Sequence, residues 1–547
     1  MRRPSDDGKE SRAHGRAPVL AVGVCAALVA AVAAAWPNGG SRSGVPGGGA
    51  RSAVDRTAQD DTAHARAILE ASAGASPLLC GLAVQAVTGR SGWSGPWAAP
   101  ETEATTGARE TMRWATGSIP SDATLPLLFE ALRGGDPCAR RIAAALLGRS
   151  RSEAAADGML AALRSDAAPT RAAAALALGL AEPADALDPL AGALGDAAPE
   201  VRAMAAWALG RIEDRRAIEP LGRALEDGDA TVRLAAARAL GRIESSDAVE
   251  VLARVLREDE SAEVRAAAAV ALGRIEDRAA VAPLAAALRQ DVDADVRVAA
   301  AWALGRIEER EAVDALAAAL SDAESRVREA AAWALGEVES RAAVEPLGRV
   351  LREDEDADVR ETAAWALGQI EDRRGIEPLG AALAGDADAD VRATAAWALG
   401  QTEHASATDA LARALADPDA TVRRQAAWAL GQVEPDAAPA ALIGALGDAD
   451  AEVREAAAWA LGRIEDPAAA AGLTTALGDE DRSVRRSALW ALAELDDDAA
   501  RPALIRALES TDPQVRLMAT RALGGHGGGP QPRPQPRPRP RPFPVFP

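Results

Sequence analysis

Residues 217–243 read AIEPLGRALEDGDATVRLAAARALGRI, and two hydrophobic patterns in this stretch decide the architecture. At 100° per residue, Val232, Ala236, Ala239 and Leu240 fall within about 100° of arc, the apolar stripe of an amphipathic helix. Asp229, three residues before Val232, is placed to accept the orphan amides of that helix's first turn. Gly241 is expected to end it. Upstream, Ile218, Leu221 and Leu225 share one face of a shorter helix over residues 217–225, with Pro220 early enough that a missing amide costs little. The stretch is therefore a helical hairpin with an apolar flank on each arm.

The hairpin recurs. Aligned on Arg233, thirteen arginines from Arg140 to Arg516 follow one another at intervals of 31 or 32 residues. Each is followed by Ala at three and Leu at seven positions, and eleven are preceded by Val. In the longer units the additional residue lies before the turn Asp, as LRED over residues 256–259 compares with LED over 225–227. A loop is expected to absorb it. Hairpins repeating at this period cannot bury their apolar flanks alone and must stack. The expected fold is all-α, a right-handed α-solenoid of about 13 hairpins over residues 120–524.

The consensus LxxAL-D-x-D-xx-VR-xxAAxALG-x-I resembles the HEAT repeat, in particular its short PBS-lyase-like subclass, over roughly Ser121 to Gly524. The resemblance is specific for fold and not for function. It implies a ladder in which the helix Arg pairs with a turn Asp of the neighbouring repeat. Matching aspartates stand six residues before the Arg in ten units, among them Asp196, Asp227, Asp291, Asp354, Asp417 and Asp479. The departures are Gly134, Ser165 and Ser510, in the first two units and the last. Some proteins with such repeats are enzymes, notably deoxyhypusine hydroxylase and the phycobilin lyases. Here the His-Glu pairing of the hydroxylase is reversed in Glu403-His404 and occurs once. No metalloprotease helix motif, phosphate loop or nucleophile elbow is present. The expectation is a binding protein without a catalytic centre, cofactor or metal, with a chromophore lyase or hydroxylase-like enzyme as the alternative.

Charge narrows the partners. The whole chain carries −21; setting aside +2 for residues 1–36 and +4 for residues 525–547 leaves −27 on residues 37–524. Such a body repels phosphate backbones, since nucleic-acid affinity rests on cations replacing counterions, and nucleic acid is excluded as a partner.

Residues 1–36 read as a signal peptide or membrane anchor: a basic stretch ending at Arg16, then the uncharged run Ala17 to Trp36, long enough to span a bilayer. Its Ala33-Ala34-Ala35 ending also suits cleavage, and both readings stay open. Either places the remainder outside the inner membrane of a bacterial cell envelope, membrane-anchored or periplasmic. Residues 37–54 are expected to be a flexible linker, residues 55–119 a helical N-terminal cap, and residues 525–547, where Pro alternates with Arg, an extended basic tail. That tail is a candidate for contact with an anionic surface. Cys80 and Cys138 are the pair expected to form a disulfide in an oxidising compartment, worth about 4 kcal/mol by loop closure. The other reading is two buried thiols.

Tryptophan supplies the candidate binding site. Trp207, Trp302, Trp333, Trp365, Trp397, Trp428, Trp459 and Trp490 share one slot, five residues after the aligned Arg. On the helical wheel this slot lies about 160° from the buried stripe, which predicts an outward-facing row along the second helices. Such a row would hold a protein partner or an extended peptide by stacking. The competing reading lays each indole flat on its neighbouring helix. The sequence thus points to an exported, membrane-tethered scaffold with a Trp-lined concave face.

Overall fold

The computed structural model describes residues 61–63, 65–70, 72–75, 80, 121–495, 500–510 and 513–524. The expected N-terminal segment, the linker, most of the cap and the basic tail lie outside them. The described residues contain helices and no strand, and the array divides into two compact units, residues up to Val255 and residues from Leu256.

Each repeat builds the hairpin read from its sequence. The second helix of the opening stretch runs Ala230–Ile243, with Val232, Ala236, Ala239 and Leu240 all buried. Asp229 caps it as expected, its Oδ1 accepting the Thr231 amide at 2.8 Å. The first helix is shorter than its apolar pattern suggested. Asp214 caps a 3₁₀ turn, Arg215–Ala217, and only then does the α-helix Ile218–Ala224 begin.

Two expectations about chain punctuation are corrected. Gly241 does not end the second helix, which continues to Ile243 and closes with Glu244 in the left-handed region at φ 50°. Ten glutamates occupy this place, from Glu182 to Glu465, at φ 46–56°. The glycine two or three residues earlier serves packing instead. A Cβ on Gly368 would lie 2.7 Å from Cζ3 of Trp397 and 2.9 Å from the Ala398 Cα, so only glycine lets successive second helices approach this closely.

Nor does a loop absorb the additional residue of the longer units. Their first helices are extended at the C-terminal end, Val281–Gln290 and Val344–Glu353 against Ile218–Ala224 and Val313–Ala319. In the long form the turn Asp closes an α-type bond, Asp291 N to Ala287 O at 2.9 Å. In the short form it closes a 3₁₀-type bond, Asp227 N to Ala224 O at 3.3 Å. The insertion converts one helix ending into another, and the Asp arrives at the same place.

The ladder implied by the resemblance is present. Nine arginines, at 171, 202, 265, 297, 328, 360, 392, 423 and 454, each hold the turn Asp of the following repeat through Nε and Nη2. The remaining Nη1 donates back to the carbonyl of the turn Asp or Ser in its own repeat, as Arg202 does to Asp196 O at 2.9 Å. The Asp in turn accepts the amide two residues on, as Asp227 does from Asp229 at 2.9 Å. Every fork is thus matched by a carboxylate whose Oδ1 also accepts a backbone amide, and added hydrogen bonds of this kind are what let a partly buried ion pair stabilise.

At the N-terminal end, Asp136 accepts amides from Ala139 and from Gly74, both at 2.8 Å, joining residues 72–75 to the first repeat. Cys80 and Cys138 are buried with their Cα atoms 5.5 Å apart, the separation of a bonded pair.

Candidate interaction surface

A second helix in this array is covered on three sides: by its own first helix, by the repeat before and by the repeat after. Beyond its first turn, what remains for solvent is a narrow strip centred on the slot nine residues after the aligned Arg and the exposed left-handed glutamates beside it. The slot one after the Arg ranges from buried at Ala203, Val298 and Ala393 to half-buried at Glu329, Glu361 and Glu455.

The Trp slot does not form the outward row that the wheel predicts. Trp207, Trp365, Trp459 and Trp490 are buried, Trp397 is 1% exposed, and Trp302, Trp333 and Trp428 are half-buried. Each indole turns its Cζ3 edge onto the helical glycine of the preceding repeat: Trp207 on Gly179, Trp302 on Gly273, Trp333 on Gly305, Trp365 on Gly336, Trp397 on Gly368, Trp428 on Gly400, Trp459 on Gly431 and Trp490 on Gly462. The wheel measures the angle from one stripe and ignores the neighbours on either side. Glycine and alanine bring those neighbours close enough that a slot 160° from the stripe is roofed over. Each indole therefore packs against its neighbouring helix, and Trp302, Trp333 and Trp428 alone of the eight are half-buried rather than buried.

The strip itself is charged, and its charge changes along the chain. At the slot nine after the aligned Arg, Arg211, Arg306 and Arg463 reach back to the left-handed glutamate of the preceding repeat, forming the pairs Arg211–Glu182, Arg306–Glu276 and Arg463–Glu434. Between Arg306 and Arg463 the same slot holds Glu337, Gln369, Gln401 and Gln432. The cross-repeat cation drops out, and Glu308, Glu339, Glu371 and Glu403 follow one another without it.

The closeness of these carboxylates shows at Glu337 and Glu371. Burial, then the charges of Glu308 and Glu339, push Glu337 above the usual glutamate range, with Arg306 opposing. Burial, then Glu403 and Glu339, do the same to Glu371. Glu361, at the slot one after the Arg, is raised by burial and by Asp390, while Thr394 donates to it at 3.3 Å. This acidic run was legible as a change of residue type at one repeat position, but that position attracts attention only once the left-handed glutamate beside it is known.

His404 accepts the Ser406 amide through Nδ1 at 3.2 Å and caps a 3₁₀ turn, so the reversed Glu-His pair has a structural task. Among the described residues no group of three or more His, Cys, Asp or Glu side chains is arranged to hold a metal ion. No helix among them is long and apolar enough to cross a membrane.

The HEAT-repeat family model matches residues 157–233, 218–297, 281–368, 344–431, 376–461, 411–486 and 470–535. The chain belongs to the HEAT-repeat family. Its array is similar in fold to two crystal structures of importin beta, one in ammonium sulfate and one in polyethylene glycol. Both are 15% identical with a TM-score of 0.52 over 92% of this chain, covering 78% and 82% of importin beta. Kap95p, whose binding induces the switch loops of RanGDP to adopt the GTP-bound conformation, matches at 15% identity and a TM-score of 0.47. That match covers 82% of this chain and 66% of Kap95p. No curated protein matches the sequence. At these identities the likeness to solved structures concerns the fold alone.

Proposed function

We propose that this HEAT array is an exported scaffold, tethered to the bacterial inner membrane or released into the periplasm through residues 1–36, that binds a basic, extended segment of a partner protein along its second helices. The observation that carries this reading is the run Glu308, Glu337, Glu339, Glu371 and Glu403, where the cross-repeat arginines are absent and single-sign charge recurs at repeat spacing. The half-exposed edges of Trp302, Trp333 and Trp428 supply apolar contact beside it. An extended chain suits such a strip because its own side chains recur regularly and its backbone needs no partner fold. Cys80 and Cys138, positioned to bond, suit an oxidising compartment.

The test is calorimetric titration of the full chain with extended peptides of matched length, one Lys/Arg-rich and one Asp/Glu-rich. The basic peptide should bind in a salt-dependent manner, and Glu339→Lys/Glu371→Lys/Glu403→Lys should weaken it by about tenfold or more, each reversed charge adding repulsion where there was attraction. Equal binding of both peptides, or binding indifferent to the triple reversal, would rule the strip out.

A further inference from the structure

Between the first two repeats the ladder lacks a rung. Arg140 is the first of the aligned arginines, and the turn that should answer it carries Ser165 in place of Asp. The backbone of that turn is unaltered. Arg171 donates through Nη1 to Ser165 O at 2.8 Å and Asp166 O at 2.9 Å, as Arg202 does to Asp196 O at 2.9 Å and Ala197 O at 3.3 Å. Only the carboxylate is missing.

Both sides of the interval are short of partners. In the nine complete rungs Nε donates to the Asp Oδ2 at 2.6–2.8 Å. The Arg140 Nε is shut off from solvent and bonded to nothing, a condition that calls for an absent ion or water. Its Nη2, which elsewhere takes the Asp ahead, has turned back onto Gly134 O at 2.5 Å, a bond that the other arginines make through Nη1. On the opposing turn the Ala167 amide reaches only the Ser165 Oγ at 3.3 Å. Its equivalents find an Asp Oδ1 at 2.8–3.0 Å.

The neighbouring charges favour an anion. Burial, then the charge of Arg140, hold the adjacent Arg141 below the ordinary arginine value. The nearby Asp136 does not fill the place, because its oxygens accept the Ala139 and Gly74 amides, both at 2.8 Å. Asp166 is exposed on the turn. A guanidinium edge with two parallel donors matches a planar pair of oxygens better than a spherical ion, and nine rungs of this molecule hold such a pair.

We propose that the interval between Arg140 and the Ser165–Ala167 turn is a binding site for a carboxylate supplied by another molecule. One oxygen takes Nε; the other takes Nη2 and the Ala167 amide, with Nη1 swinging to Gly134 O as in the complete rungs. Occupancy ties the first repeat to the second, as Asp does further along. The site is remote in sequence from the acidic strip over residues 308–403 and does not depend on it.

Formate, a carboxylate with no side chain attached, is the probe. Hydrogen exchange in the full chain is followed in helices Pro137–Leu147 and Ala168–Ala181 while sodium formate is titrated against sodium chloride at equal ionic strength. Formate should slow exchange there by about tenfold when it stands at ten times its dissociation constant, and leave residues 344–401 unchanged. Ser165→Asp supplies the carboxylate internally, so exchange should be slow without formate and indifferent to it. Arg140→Gln should also lose the response. Asp386→Ser opens the same interval at a complete rung and should gain the response in residues 344–401. A capped peptide with one Asp separates the sources: protection by formate alone assigns a free acid, and stronger protection by the peptide assigns an acidic side chain of a partner. Chloride equal to formate overturns the proposal. So does a response that survives Ser165→Asp or Arg140→Gln, and so does a response at Asp386→Ser with none at the first rung of the parent chain.

Discussion

The Arg360 guanidinium holds the Asp386 carboxylate of the following repeat in a two-pronged grip, Nε to Oδ2 at 2.8 Å and Nη2 to Oδ1 at 2.9 Å. The same fork steadies its own repeat through Nη1 to Asp354 O at 2.9 Å. One side chain therefore ties the turn behind it to the turn ahead. Asp386→Ala leaves a partly buried guanidinium without its counter-charge and should cost about 3 kcal/mol. Arg360→Lys cannot restore the fork and should recover only a minor part. Because repeats contact only their neighbours, hydrogen exchange should rise first in residues 344–401, well before global unfolding. A loss spread evenly over the chain would show that the ladder does not act locally.

The pH dependence of stability should have two limbs. Asp196, Asp227, Asp448 and Asp479 are held below the ordinary 3.8, first of all by the hydrogen bond from the ladder arginine. A depressed folded-state value means that this stabilisation is present above 3.8 and disappears as pH falls through the lower folded values. Glu337, Glu361 and Glu371 are raised above the ordinary 4.5, first by burial. Their contribution is the reverse, present below 4.5 and lost as pH rises through the raised values. The melting temperature should therefore climb as pH is lowered from neutrality towards 4.5 and fall steeply below 3.8. Glu337→Gln/Glu371→Gln should raise the neutral-pH melting temperature and flatten the climb, as followed by circular dichroism.

The indole row predicts a graded cost. Trp397→Ala empties a site that is 1% exposed and should destabilise by about 3–5 kcal/mol. Trp302→Ala and Trp333→Ala, at half-buried positions, should cost less. Gly368→Ala should cost about 1–3 kcal/mol by driving a methyl into Trp397 and the Ala398 backbone. Denaturant titration of these variants decides whether the row is masonry; uniformly small losses would return it to the role of a binding surface.

Cys138→Ser should loosen the N-terminal end. Opening the loop to Cys80 removes about 4 kcal/mol by chain entropy, and the bond from Gly74 to Asp136 should weaken with it. Exchange in residues 125–147 is expected to accelerate, and a reducing agent should reproduce the effect in the parent chain. Unchanged exchange under reduction would show that the cysteines contribute only as buried apolar groups.

Much of the fold was legible because its determinants are periodic. The stripe Val232, Ala236, Ala239 and Leu240 and the Asp229 cap require only residues at helical spacing, and the Asp–Arg ladder was implied by the resemblance to the HEAT repeat. What escaped prediction depends on contacts between repeats. Gly241 read as a terminator because glycine commonly ends helices; the equivalent Gly210 and Gly368 show that closeness of approach is what glycine provides at this slot. Glu244 carries no sequence signal for a left-handed backbone, which ordinarily favours glycine or asparagine. The Trp slot was misplaced because a wheel drawn for one helix cannot see a roof supplied by the next. The acidic run was hidden for a related reason, since Gln369 and Gln401 are unremarkable until the arginines they replace are seen reaching across.

The turn Asp lies six residues before its own Arg, and the length variation falls ahead of it, so Arg265 finds Asp291 at 26 residues and Arg297 finds Asp322 at 25 with the same fork geometry. The joint between neighbours is thus blind to how long either neighbour is. Genes built this way can gain or lose whole modules by unequal crossing-over, or trade a short module for a long one, and every new junction closes without further adjustment.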